Sequence, residues 1–308
     1  LIYDRLMDDV DIDNLVVSSK YVMGDFDSYL PLNPTLSTGD EDRLVEMQGR
    51  REFEAFSSIP NHMGPAHQEA LQQFLGEGAN ISGPWRAGPM SLYLKEGLWE
   101  LYDLNVYTGG RLAWDPDADL SAATSDWIHR MLTADPDAAR AVSDVFAMSR
   151  DALLQGFYIG PYAEQQVFAL GLEPPPMMWM FKWDIVSGDS AALSAVYHAT
   201  RGRVDEAIES GERAVALAED MRERFDSVDV ADFHSAETHA LFAQSLDYEV
   251  DLLRTLQTFR ATFLHYYEWL DTGASQSREA FEAAAAEYHV AVAEHEERWT
   301  GNLDFPPF

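Results

Sequence analysis

The stretch HSAETHALFAQSLDYEVDLLRTLQTFRATFLHYYEWL, residues 234–270, limits what this chain can fold into more than any other feature. Leu252, Leu256, Phe259, Phe263, Tyr266 and Leu270 recur in it at steps of four and three. That spacing returns apolar side chains to one face of an α-helix and cannot line one face of a strand. The segment predicts a single amphipathic helix of about ten turns. Helical spacing also governs RVDEAIESGERAVALAEDMRERF (203–225), residues 276–299, and SLYLKEGLWELYDLNVYTGGRLAW (91–114), where Leu94, Leu98, Leu101 and Leu104 align. Residues 115–158 contain two Asp-Pro pairs, Asp115-Pro116 and Asp135-Pro136, which read as helix starts with an aspartate N-cap. GLEPPPMMWMFKWDIVSGDS (171–190) is irregular and aromatic-rich. It reads as helix-packing core, with Trp179 and Trp183 also suited to line a sugar groove. The closing GNLDFPPF reads as extended.

The first hundred residues follow another rhythm. NLVVSSKYVMG (14–24) and RLVEMQGR (43–50) are short and rich in apolar and β-branched residues, as strands are. HQEALQQFLGEG (67–78) reads as a helix with a glycine stop, and ANISGPW (79–85) as a third strand broken by Gly83 and Pro84. Strand, helix and strand in this order predict an α/β region with a parallel sheet. The expected organisation is an α/β region over 1–115 and a mostly α region over 116–308. Three or four strands cannot close an eight-stranded barrel by themselves.

Composition removes whole classes of function. The 308 residues carry a formal net charge of −32, and only Lys20, Lys95 and Lys182 are lysines. A surface so acidic opposes nucleic acid and anionic membranes, which both need basic partners. Many acids with few lysines is the pattern of halophilic proteins held in a saline cytoplasm, where salt screens self-repulsion. A cytoplasmic location is therefore expected. Cysteine is absent, so disulfides and thiol chemistry are excluded. No run approaches the roughly 18 apolar residues of a membrane span, and no signal peptide is visible. The start at Leu1, inside an acidic segment, reads as that of a fragment or processed chain.

Parallel α/β sheets place working residues at the carboxyl ends of strands. Here the first end offers Lys20, Asp25 and Asp27; the second Glu46, Gln48, Arg50, Arg51, Glu52 and Glu54; the third Trp85 and Arg86. Carboxylates on neighbouring ends can handle protons, and an aromatic face can receive a sugar ring. In a chain with 53 acidic residues, two such carboxylates also arise by chance. His62 and His67 lack the spacing of a zinc pair, and GEGANISG lacks a phosphate fingerprint. The remaining histidines fall in predicted helical segments, as core or surface residues.

Four motifs in order resemble the α-glucuronidases of glycoside hydrolase family 67. They are KYVMGDFDSYLPLNP (20–34), EMQGRREF (46–53), GPWRAGP (83–89) and NVYTGGRLAWDPDADLSAATSDWIHRML (105–132). The last is long and structural in character: Arg111, Trp114 and Asp115 would fix a helix end. The similarity runs over about 15–165, with only helical character agreeing beyond. It implies that 1–115 holds the last strands of a (β/α)8 TIM-type barrel, followed by a C-terminal helical domain. By position it makes Asp27 and Glu52 the catalytic pair that activates water in an inverting hydrolysis, and Lys20 the cation for a glucuronate carboxylate. Asp25, Arg51, Trp85 and Arg86 complete the expected sugar-contacting set. The chain departs from the family in the longer Lys20–Asp27 interval, in Asp25 where the family has proline, in a shorter Asp27–Glu52 interval, and in two arginines before the glutamate. The implied activity is removal of glucuronic acid, or its 4-O-methyl ether, from xylo-oligosaccharides, as in xylan degradation, without metal or organic cofactor. The implied partners are a glucuronic-acid-bearing oligosaccharide and either a second copy of the chain or an upstream half. That half would carry the general acid. The rival reading is a non-catalytic carbohydrate-binding or assembly subunit that pairs with a separate chain.

Overall fold

The computed structural model describes residues 2–7, 10, 12, 14–23, 28–49, 54, 55, 58–87, 99–165 and 190–307. After a short helix α1 (Ile2–Met7), three parallel strands form one sheet in the order β1 (Val16–Lys20), β2 (Asp42–Gln48), β3 (Ile81–Ala87). Helix α2 (Gly64–Gly76) makes the crossover from β2 to β3. Arg43, Val45 and Met47 of β2 are buried, whereas Asp42, Leu44, Glu46 and Gln48 on its other face are not. Val45 and Met47 pack with Ala70, Leu71 and Phe74 of α2 in a small core.

The third strand is longer than its sequence implies. Gly83 and Pro84 do not break it. The register jumps from Arg43↔Ile81 to Leu44↔Gly83, leaving Ser82 as an extra residue. Gly83 takes φ +149°, where a side chain would be strained. Pro84 follows directly on this bulge, one of the places where a strand tolerates proline.

The rest of the described chain is mainly helical: α3 (Trp99–Trp114), α4 (Leu120–Met131), α5 (Pro136–Phe157), α6 (Gly160–Ala163), α7 (Ser190–Thr200), α8 (Val204–Asp226), α9 (Ala236–Thr272) and α10 (Ser275–Trp299). Asp135 caps α5 through hydrogen bonds from the backbone N–H groups of Asp137 and Ala138, with Pro136 in the first turn, as the Asp-Pro pair predicts. The other pair is a correction. Asp115 accepts from the Asp117 N–H in a turn, and α4 begins later, capped by Asp119. Helix α9 starts at the Ser235 cap and stops at Gly273, which adopts the left-handed conformation at φ +66°.

A large core joins α3–α9, with α10 laid along α9. Trp127, Phe146, Phe242 and Phe225 form an aromatic ladder through it, with successive ring centroids 5.8, 5.8 and 4.8 Å apart. Of the residues predicted to line α9, Leu252, Leu256 and Phe263 are buried and Leu270 is 56% exposed. At that end Tyr266 and Trp269 meet Phe281 of α10 while Tyr267 meets Tyr197 of α7, so Leu270 faces outward. His234 lies just before α9, not in a helix. Among the described residues no helix is long and apolar enough to cross a membrane.

Candidate active site

The strand register places Lys20, Glu46 and Trp85 in one row across β1, β2 and β3, near their carboxyl ends. In a parallel sheet residues in register share a face, so all three lie on the face away from α2. One hydrogen bond supports this: the Trp85 indole N–H reaches across β2 to the Ser18 hydroxyl at 2.7 Å. Trp85 keeps 41% of its surface exposed. The row combines a cation, a carboxylate and an aromatic plane about 10 Å from end to end.

Past these ends the chain enters two loops, one after β1 and one after β2. The first returns beside β1: Val22 bridges Leu32, and the Asn33 N–H donates to the Tyr21 carbonyl. The second is pinned by helix side chains. The Asn105 amide of α3 donates to the Gly49 and Asn61 carbonyls and accepts from the Met63 N–H. Ser149 of α5 accepts from the His62 N–H. The Ser58 carbonyl accepts from Ser245 of α9, and the Ser58 hydroxyl donates to the Asp304 carbonyl in the carboxyl-terminal tail.

The loops meet at Glu54, which is buried. Its Oε1 accepts from the Ser28 hydroxyl and the Tyr158 hydroxyl, both at 2.8 Å. Its Oε2 accepts from the Asn61 amide at 3.1 Å and from Arg150 at 3.4 Å. Arg150 also donates to the Ser28 hydroxyl at 2.7 Å, and the Ser28 N–H donates to the Tyr158 hydroxyl at 3.1 Å. A charge this deep survives only when paired and hydrogen-bonded. Glu54 meets both conditions.

Two backbone outliers sit beside this network. Among the described residues, Tyr29 (φ +68°) and Ala55 (φ +59°) are the non-glycine residues with positive φ. Each directly follows a network residue, Ser28 or Glu54. Such conformations cost about 1–3 kcal/mol and persist where surrounding contacts over-determine them. Tyr29 packs against Tyr158 with ring centroids 5.4 Å apart. Burial raises the Tyr29 hydroxyl above its ordinary pKa, and the charge of Glu164 acts in the same direction. Underneath, the buried Arg260 of α9 donates to the Gly156 and Tyr158 carbonyls, the Ala207 carbonyl and the Ser210 hydroxyl. Burial lowers its pKa, and these oxygens support the charged form.

Of the residues singled out in the sequence, Lys20 and Trp85 fall in the strand-end row. Arg86 lies on β3 in register with Met47, its side chain outside what is described. Asp25, Asp27, Arg51 and Glu52 lie outside the described residues, as do Arg50, Trp179 and Trp183. Ser28, directly after Asp27, and Glu54, two residues after Glu52, are the pair that joins the two loops. Arg111 hydrogen-bonds the Tyr107 hydroxyl and pairs with Asp126. Trp114 is 93% exposed. Sequence reading missed Arg150, Tyr158 and Asn105. The available signal was polar side chains at or beside the buried stripes of α3 and α5. His67 is buried edge-on to Tyr21, and among the described residues no three His, Asp or Glu side chains gather to hold a metal.

Comparison with known proteins gives two findings. Residues 99–171 match the family model described as Glycosyl hydrolase family 67 C-terminus. Among solved structures, the chain is similar to a GH138 enzyme targeting pectin rhamnogalacturonan II, with a TM-score of 0.61 at 12% identity. The match covers 91% of this chain and 45% of that one, so the present chain spans about half the length of that relative. At that identity the likeness is one of fold. No curated protein matches the chain. Both matches lead to glycoside hydrolases, and the matched segment holds Asn105, Ser149, Arg150 and Tyr158. The resemblance read from the sequence is borne out over residues 99–171, which match the model of the glycosyl hydrolase family 67 C-terminus.

Proposed function

We propose that this chain is the carboxyl-terminal part of an α-glucuronidase-like glycoside hydrolase. It would release glucuronic acid or its methyl ether from a xylo-oligosaccharide with inversion at the anomeric carbon. The observation that carries the reading is the position of the family match. The segment matched over 99–171 contributes the side chains that hold the loop ends flanking Asp27 and Glu52.

In this reading β1–β3 are the last strands of a (β/α)8 barrel, and the row of Lys20, Glu46 and Trp85 faces its interior. Asp27 and Glu52 share the deprotonation of an attacking water on one face of the sugar. Inversion needs carboxyls roughly 6.5–9.5 Å apart, to leave room for that water. Lys20 holds the uronate carboxylate, with Arg51 and Arg86 as further cations, and Trp85 stacks on a ring. Asp25 adds negative charge that favours the developing oxocarbenium ion. The acid that protonates the leaving oxygen belongs to another part of the barrel.

The test is release of glucuronic acid from an aldouronic oligosaccharide by the chain in its native flanking sequence. Asp27→Asn and Glu52→Gln should each lower kcat by about 10²–10⁴-fold, the usual span of general acid–base assistance. Wild-type rates in both variants would remove the pair from the mechanism.

A further inference from the structure

We infer that Glu54, Arg150 and Tyr158 form a positioning clamp that sets the distance between the loops carrying Asp27 and Glu52. This rests on the reading of those two residues as the water-activating pair. Asp27 is one peptide unit from Ser28, about 3.8 Å of backbone, and Glu52 is two from Glu54, at most about 7 Å. Ser28 and Glu54 share a 2.8 Å hydrogen bond. The contact that joins the two loops thus stands one residue along the chain from Asp27 and two from Glu52.

Three features make this a clamp and not an incidental contact. First, Glu54 is engaged by four donors at once. Its oxygens accept from Ser28, Tyr158, Asn61 and Arg150, and its side chain is 1% exposed. A carboxylate so buried and so paired ties its four partners together. Second, the clamp engages the first loop twice. Arg150 donates to the Ser28 hydroxyl, and the Tyr158 hydroxyl accepts the Ser28 N–H. Side chain and backbone of one residue are both fixed to α5 and its end. Third, the positive φ angles of Tyr29 and Ala55 show both loops held out of their relaxed conformations directly beside the clamp. Arg260 then anchors the Tyr158 backbone to α9, so the clamp stands on the helical core. Fixing reacting groups through locked supporting side chains is what precise catalytic spacing requires.

The chain has no cysteine, so introduced thiols report distance without background. The experiment places Asp27→Cys and Glu52→Cys in one chain. It measures the rate of cross-linking by a bifunctional thiol reagent whose span fits roughly 6.5–9.5 Å. The double variant is compared alone and with Tyr158→Phe, Arg150→Met or Arg150→Lys added, well below the melting temperature of each. Tyr158→Phe removes one hydroxyl and keeps the ring, so it reads the clamp even if Arg150→Met fails to fold.

Efficient cross-linking in the parent, a fall of about tenfold or more with Tyr158→Phe and Arg150→Met, and partial recovery with Arg150→Lys are expected. A change in global stability alone would leave these rates equal. Equal rates in all backgrounds would overturn the clamp and leave the proposed function standing. No cross-link in the parent would overturn the shared cavity on which both depend.

Discussion

At the scale of single residues, two buried glutamates behave in opposite ways. Glu54 is surrounded by donors, whereas neither carboxylate oxygen of the fully buried Glu249 on α9 has a hydrogen-bond partner among the described residues. Burial pushes the Glu249 carboxyl well above the usual carboxylate range. A raised folded pKa means that the stability tied to the neutral form is complete below the ordinary glutamate value of about 4.3. It is lost as pH climbs from there toward the folded value. Glu249→Met fills similar volume without the polar atoms. It should raise the unfolding free energy at pH 7 by about 1–3 kcal/mol, with a smaller gain at pH 4. Denaturant titration at both pH values measures this, and a loss of stability at pH 7 would contradict it. The contrast also shows what local sequence can convey. Glu54 was visible as a carboxylate past a strand end, but its partner Arg150 stands 96 residues away. No periodicity relates two such positions, because the pairing is made by tertiary packing. Lys20 and Trp85 were legible because strand ends can be read from short apolar runs.

Among the elements, helices were legible to within a few residues wherever an apolar stripe faced a partner, as in α8, α9 and α10. The aspartate cap of α5 was legible, because Asp135 precedes proline and the helix needs an acceptor there. The same dipeptide at 115 made a turn, since Gln68 binds the Pro116 and Ala118 carbonyls and holds that segment off the helical path. The bulge at Ser82 was not legible: Gly83 and Pro84 signal a break as readily as a bulged strand. Close approach of helices is likewise invisible in one chain segment. Gly156 on α5 lies so near α9 that an added β-carbon would collide with Leu253 Cδ2 and stand 3.3 Å from Ala214 Cβ. Gly156→Ala should destabilise the protein by about 1–3 kcal/mol through overpacking, although alanine is the better helix former. A thermal midpoint equal to or above that of the wild type would contradict this.

For the molecule as a whole, charge and architecture make separate demands. The ion pairs of the described surface are mostly exposed arginine–carboxylate contacts, such as Arg130–Asp126 and Arg278–Glu282. Water and salt screen such exposed pairs, so they do little to offset a net charge of −32. Raising KCl from low to molar concentration should raise the melting temperature, because screening relieves the repulsion. A midpoint that does not rise would show the acidity to be inert. The described fold, three parallel strands and a large helical body, is similar over 91% of this chain to 45% of the GH138 enzyme structure. The proposed water-activating pair past the strand ends would fix the configuration of the first product. Proton NMR during hydrolysis of an α-linked aldouronic oligosaccharide, by the chain in its native flanking sequence, identifies the first anomer of glucuronic acid. Attack of water with inversion at an α-linked sugar gives the β-anomer first, followed by slow mutarotation. The α-anomer first, or no release of glucuronic acid, would contradict it.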